Sequence, residues 1–270
     1  MTVPPDRILW GFSSLGAPQL DLRGLDALAR EHGLDFLELR AVGGSIELPD
    51  YFRDHPAELR AASTPVRVLA TNLRLTEAKD QDIAAFSRFV GLGKAMNAPW
   101  LRVFGGEHWG TEINDDLLQR ASKTVASCRE ILRGEGASCE MILETHSGFS
   151  SAKICRRLND YLPEPLAIIW DSHHTWKLAG ETLNESWDAI SPWVRHVHLK
   201  DSVLDPAHKD GYQYVPPGRG RFPTRELLDL LKSAGYRGGV SLEWEKLWRP
   251  ELPDIGEALA GLRDVMRDAA

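Results

Sequence analysis

The sequence predicts an α/β protein folded as a single (β/α)8 barrel over residues 1–270. Three observations predict it. Short apolar runs alternate with amphipathic, charged stretches from one end of the chain to the other, the mark of a parallel sheet with crossover helices. Eight such units follow one another, the number that closes a barrel. The length also fits, since such barrels typically run to about 250 residues. No GxGxxG follows the first strand, which weighs against a doubly wound, nucleotide-binding sheet.

In chain order the predicted strands are "RILWGF" (7–12), "LDFLELR" (34–40), "VRVLATN" (66–72) and "WLRVFG" (100–105). Then come "EMILETH" (140–146), "LAIIWD" (166–171), "VRHVHLK" (194–200) and "GVSLEWE" (239–245). Between them lie segments of 3.6-type periodicity. "DLRGLDALAREHG", "DQDIAAFSRFVGLGKAMN", "DDLLQRASKTVASCREILRGEG" and "TRELLDLLKSAGYRG" are clear cases, and several end in Gly, the usual helix stop. "DIGEALAGLRDVMRD" reads as a last amphipathic helix. The longest irregular piece is "SVLDPAHKDGYQYVPPGRGRFP" (202–223). A loop of that length in a compact domain is usually functional or disordered.

Composition narrows the function. Hydrophobic content of 43% and charged content of 26% are those of a globular protein. A net charge of −7 argues against a nucleic-acid partner, which calls for a basic footprint. No segment approaches the roughly 18 apolar residues of a membrane span. The N-terminus shows no signal peptide, so a cytoplasmic location is expected. Cys128, Cys139 and Cys155 are odd in number and lack CxxC spacing, which speaks against a disulfide framework or a thiolate zinc site.

"VRHVHLKD" (194–201) carries the first chemical signal. On a strand, Val194, His196, His198 and Lys200 share one face, and Arg195, Val197 and Leu199 the other. Such a polar face suits a barrel interior near its mouth. Active sites in these barrels sit at the C-terminal ends of the strands. Those ends read Glu38, Asn72, Glu144, His146, Asp171, His198, Glu243 and Glu245. Glu144, Asp171, His198 and Glu243 recur at comparable positions in the last four strands. A spacing of 27 residues separates Glu144 from Asp171 and Asp171 from His198, one βα unit each. Three carboxylates and an imidazole facing inward would repel without a cation. A divalent metal resolves the conflict, with Mn²⁺ the first expectation and Mg²⁺, Co²⁺ or Zn²⁺ the others. His196, one pleat deeper, reads as a structural partner.

These residues carry a resemblance. "ETH" at 144, "DSHH" at 171, "HVHLKD" at 196, "PGRG" at 217 and "SLEWE" at 241 resemble the xylose isomerase-like TIM barrel superfamily over nearly the whole chain. That group includes sugar phosphate isomerases and epimerases, ketose 3-epimerases, inosose dehydratases and the endonuclease IV relatives. The resemblance implies that Glu144 and Glu243 are both metal ligands and the acid/base pair, with Asp171 and His198 completing coordination. His174 matches the histidine of the family's D-x-x-H, and His146 a residue that often touches substrate. The arginine that usually follows the seventh-strand histidine in ketose 3-epimerases is absent, since Lys200, Asp201 and Ser202 stand there. The D-x-H of the endonuclease pattern is missing too.

A metal chelating a carbonyl oxygen and its neighbouring hydroxyl acidifies the carbon between them. One glutamate can remove that proton and another return it, which gives epimerisation or isomerisation. A leaving group on the next carbon would instead be eliminated, giving a dehydratase or glycoside-cleaving lyase. A non-catalytic sugar-binding barrel is the third reading, and a DNA-repair nuclease the last. Glu38 is expected beside the metal ligands or at the substrate. Trp109 and Trp176, in βα loops, are expected as substrate walls, whereas Trp10 and Phe12 are read equally well as barrel floor. "PPGRGRF" offers Arg219 and Arg221 for a phosphate, or merely packs on its own barrel. The expected partner is a small carbohydrate, with no nucleic acid and no membrane. Homo-oligomerisation stays open.

Overall fold

The computed structural model describes residues 7–208 and 210–269. Seven barrel strands come first: β1 (Leu9–Ser13), β2 (Phe36–Leu39), β3 (Val66–Arg74), β4 (Trp100–Phe104), β5 (Glu140–Glu144), β6 (Ala167–Asp171) and β7 (Val194–Leu199). Two hairpin strands, β8 (Asp201–Leu204) and β9 (Tyr212–Val215), precede the last barrel strand, β10 (Gly239–Leu242). The sheet closes in the order β1-β10-β7-β6-β5-β4-β3-β2, with every neighbouring pair parallel. All eight predicted barrel strands are present. β7 and β10 stop earlier than the apolar pattern suggests, so Lys200 and Glu243 lie just past them.

The crossovers carry α1 (Leu22–Glu31), α2 (Leu48–Asp54), α3 (Asp80–Met96), α4 (Asp115–Gly134) and α5 (Ala152–Tyr161). They continue with α6 (Ser172–Lys177), α7 (Leu183–Ile190), α8 (Thr224–Ser233) and α9 (Ile255–Ala269). Local sequence sets their starts. Asp21 accepts from the Gly24 N–H at 2.8 Å to open α1, and Asn114 from the Leu117 N–H at 3.1 Å to open α4. No described helix is long and apolar enough to cross a membrane.

Two cores result. The larger fills the space between sheet and helices, and it includes Trp10 and Phe12. These aromatics are therefore neither barrel floor nor substrate wall. Alternation on β1 explains why, because Gly11 takes the inward position, where a Cβ would overlap the Phe36 ring. A second cluster, Val68, Ile142 and Ile169 with Trp100 and Ala167, fills the barrel interior. Ile142 and Ile169 lie one pleat below Glu144 and Asp171, so this apolar plug is the floor of the polar layer.

The segment after β7 departs from expectation. It is read from sequence as irregular, yet β8 and β9 pair antiparallel from Asp201↔Val215 to Leu204↔Tyr212. Tyr212 and Tyr214 alternate with Gln213 and Val215, and both tyrosines are buried. "YQYV" holds only two periods of that alternation, too few to stand out beside "PAHKDG".

Candidate metal centre

Four side chains meet where β5, β6, β7 and β10 end. Glu144 closes β5, Asp171 closes β6, His198 lies near the end of β7, and Glu243 follows β10. These strands are neighbours in the barrel, and all four side chains are buried. One ligand atom from each lies within 4.8 Å of the others. His198 Nδ1 is 3.1 Å from Glu243 Oε2, 3.5 Å from Glu144 Oε1 and 3.9 Å from Asp171 Oδ2. Those same four atoms are buried without a hydrogen-bond partner. Three inward carboxylate oxygens and a ring nitrogen without a hydrogen bond, with Lys200 pairing in charge to only two of the oxygens, are a costly arrangement for a protein interior. Mixed oxygen and nitrogen donors at this spacing fit a divalent cation.

Glu38 sets the histidine. Its carboxylate lies 3.0 and 3.1 Å from His198 Nε2 and 3.0 Å from His196 Nε2. With the Nε2–H donating to Glu38, the His198 Nδ1 lone pair faces the carboxylates, the tautomer a metal ligand needs. His196 is thus a structural partner, as its deeper position implies. Burial alone would raise the Glu38 carboxyl, but His198 and His196 outweigh it and hold it far below the usual range. Burial likewise opposes a charged His198, but Glu243 and Glu38 raise its pKa well above the usual value, so the ring is charged until a cation displaces the Nδ1 proton. Glu38→Gln should therefore keep its metal at saturating Mn²⁺ but bind it about 10–100-fold more weakly. A metal-buffered titration checks this, and unchanged affinity would mean that Glu38 does not fix the ring.

Cations surround the cluster. Arg102 Nη1 lies 2.6 Å from Glu144 Oε2, which leaves Glu144 Oε1 to the centre. Asp171 Oδ1 accepts the His174 N–H at 2.9 Å and caps α6, which leaves Oδ2 to the centre. Lys200 Nζ donates to Glu245 Oε1 at 2.8 Å. It also lies 2.8 Å from Asp171 Oδ2 and 2.6 Å from Glu243 Oε2, close enough to pair in charge but off the line of a hydrogen bond. Burial raises the Glu144 and Asp171 carboxyls, yet Arg102 on the first and His174 with Lys200 on the second keep both well below the carboxylate range. Against the same burial, Lys200 holds Glu245 down to about 2. Fixed cations thus favour the ionised forms of Glu144, Asp171 and Glu245.

Other expected site residues lie at varying distance from it. His174 Nδ1 donates to the Thr145 carbonyl at 3.2 Å and lies 2.9 Å from Asp171 Oδ2. His146 packs edge-on against His174, with ring centres 4.9 Å apart, and burial pushes its imidazole down to about 3 despite Glu144. Both histidines converge with Glu144 as a further trio, and Glu38, His196 and His198 form another. Trp176 is half-buried against His173 and Phe222. Trp109 is 62% exposed in the loop after β4. Arg219 is exposed, and its guanidinium lies 3.5 Å from Asp264 on α9, outside the barrel.

Sequence reasoning missed Arg102 and the pairing of Lys200. A signal was present for both. Arg102 shares the inward face of β4 with Trp100 and alternates with Leu101 and Val103, and Lys200 continues the histidine face of β7. A charge on an inward face needs a counter-charge.

Comparisons with known proteins agree with this architecture. The chain is 22% identical over 172 residues to the inosose dehydratase of Klebsiella pneumoniae subsp. pneumoniae, covering 58% of this chain and 57% of that protein. It is 37% identical over 90 residues to the 3'-dehydrocarminate deglycosidase alpha subunit of a Microbacterium species, covering 33% of this chain and 23% of that subunit. The chain thus spans little more than half of the first relative's length and under a quarter of the second's. Among solved structures, the IOLI protein with a bound zinc atom superposes with a TM-score of 0.75 at 16% identity, over 97% of this chain and 98% of that one. The family model described as xylose isomerase-like TIM barrel matches residues 27–265, from within α1 to within α9. The chain belongs to that family.

Proposed function

We propose that this protein is a divalent-metal enzyme that isomerises or epimerises a keto-sugar or keto-cyclitol, with Glu144 and Glu243 as its acid/base pair. The observation that carries the reading is the placement of the two glutamates. They come from β5 and from the end of β10, with β6 and β7 between them, and both point into one buried centre. A divalent cation held by Glu144, Asp171, His198 and Glu243 would supply polarisation of the substrate carbonyl and stabilise the enediolate charge.

The chain's own residues do the rest. Arg102 and Lys200 keep Glu144 and Glu243 company as fixed positive charges, 2.6 Å away in each case. One carboxylate takes the proton from the carbon beside the carbonyl, and the other returns a proton from the opposite flank. Return to the same carbon inverts it; return to the neighbouring carbon, with a proton passing from the hydroxyl oxygen to the former carbonyl oxygen, moves the carbonyl. His174 and His146, which converge with Glu144, would hold substrate hydroxyls. The neutral form of His146 suits it to accept as well as donate.

A second reading keeps the same first step and ends as a lyase, with the carbanion expelling a hydroxyl or glycosidic oxygen. What favours it is the naming of the curated relatives, one a dehydratase and the other a deglycosidase subunit.

Chelation followed by reloading tests the metal. Activity should vanish on treatment with EDTA and return with Mn²⁺, Mg²⁺, Co²⁺ or Zn²⁺, the order of recovery identifying the preferred ion. A panel of keto-sugars and keto-inositols in D₂O tests the chemistry. Deuterium entering recovered substrate supports the acid/base pair, and loss of a fragment selects the lyase. A loaded protein that exchanges no substrate proton in any of them has some other function.

A further inference from the structure

One buried charge at the barrel mouth lies outside the metal cluster. Glu38 and Arg40 share the inward face of β2 and its extension, so Arg40 stands one pleat above Glu38, towards the mouth. Its backbone N–H is held by Ser14 Oγ at 2.8 Å. The side chain is only 8% exposed. Nη2 donates to Asn72 Oδ1 at 2.8 Å, while Nη1 is buried with no partner. No carboxylate pairs with it among the described residues. Glu47, the nearest candidate on that side, is engaged at 3.2 Å by the Asn72 amide. Arg102 is a neighbouring like charge, and its own carboxylate is Glu144. The guanidinium stands 5.6 Å over the ring of Trp248, which is 51% exposed. Burial, then Arg102, lowers the Arg40 pKa to about 10, so the group is charged at neutral pH.

A buried guanidinium with a free donor and no carboxylate within ion-pair reach, Glu47, Glu144 and Glu243 acting on it only from further off, is costly, and its planar fork matches a carboxylate or phosphate. We propose that Arg40, with Asn72 and Trp248, forms a subsite for an anionic substituent of the substrate, either a carboxylate or a phosphate ester. The proposal rests on the keto-sugar reading and deepens it. The metal cluster would hold the reacting carbons, Trp248 would offer its open ring to the apolar face of the sugar, and Arg40 would take the charged end. The anion therefore binds beside β2, β3 and the segment after β10. Arg219, engaged by Asp264 outside the barrel, is not needed for it.

The test uses the Mn²⁺-loaded full chain and three probes: D-fructose, D-fructose 6-phosphate and D-fructuronate. Calorimetry measures the affinity of each for wild type, Arg40→Gln and Arg40→Lys. At least one anionic probe should bind wild type about tenfold or more tightly than D-fructose, the size of one charge-assisted hydrogen bond. Which one does so distinguishes phosphate from carboxylate. The ratio should fall to near one in Arg40→Gln. Should that variant fail to fold, by near-ultraviolet circular dichroism, Arg40→Lys is read instead, and it should lose most of the preference for want of the planar fork. Equal binding of all probes by wild type, no binding of the anionic ones, or a ratio that survives both substitutions overturns the subsite. Solvent deuterium exchange on the same samples separates the two ideas. Charge preference without exchange sinks only the enediolate reading, and exchange without charge preference sinks only the subsite.

Discussion

Glu144→Gln and Glu243→Gln are each expected to lower turnover by about 10²–10⁴-fold, the usual worth of general acid/base catalysis. Neither should empty the centre, because an amide keeps an oxygen for the cation while losing the ability to accept a proton from carbon. The two variants should differ in a second measurement. In a reaction with two separable proton transfers, one of them still exchanges the substrate α-proton with D₂O without forming product. That one retains the glutamate facing the bound substrate. Glu144 is anchored by Arg102 and Glu243 lies beside Lys200, so each substitution also leaves a cation without its anion. Metal content must therefore be measured alongside rate. Two metal-loaded and fully active variants would end the acid/base assignment.

Arg102→Met should destabilise the metal-free protein by about 3–5 kcal/mol, the cost of leaving one member of a buried pair uncompensated. Both partners are almost wholly buried, and Glu144 Oε2 would keep its charge with no cation at 2.6 Å. A divalent ion at the centre supplies part of what the guanidinium supplied, so saturating metal should recover a good share of the loss. Urea unfolding with and without metal measures both numbers. An equal loss in the two conditions would mean that Glu144 does not face the ion. The comparison is of midpoints, since metal binding couples to unfolding.

The sequence by itself determined the eight barrel strands and which polar residues lie at or near their C-terminal ends. The pleat of an extended backbone makes side chains alternate along a strand, so Glu144, Asp171 and His198 could be placed on the inward face from their own neighbours. The same rule picked out His196 as lying deeper than His198. Regular spacing along the chain then brought the ends of successive units to one rim. The hairpin of β8 and β9 escaped because its alternation is short, and the inward position of Gly11, which sends Trp10 and Phe12 outward, shows only against Phe36.

Tertiary structure alone decided what meets across the lumen. Glu38 lies 158 residues from His196 and 160 from His198, on a strand that is not their neighbour in the barrel, yet it bonds to both rings. The partners of Arg102, Lys200 and Arg40, and the removal of Arg219 to α9, are of the same kind. Alternation tells which way a side chain points, because it is a property of one strand. Which group it reaches depends on how the barrel closes and how far each side chain extends, and no local pattern carries that information.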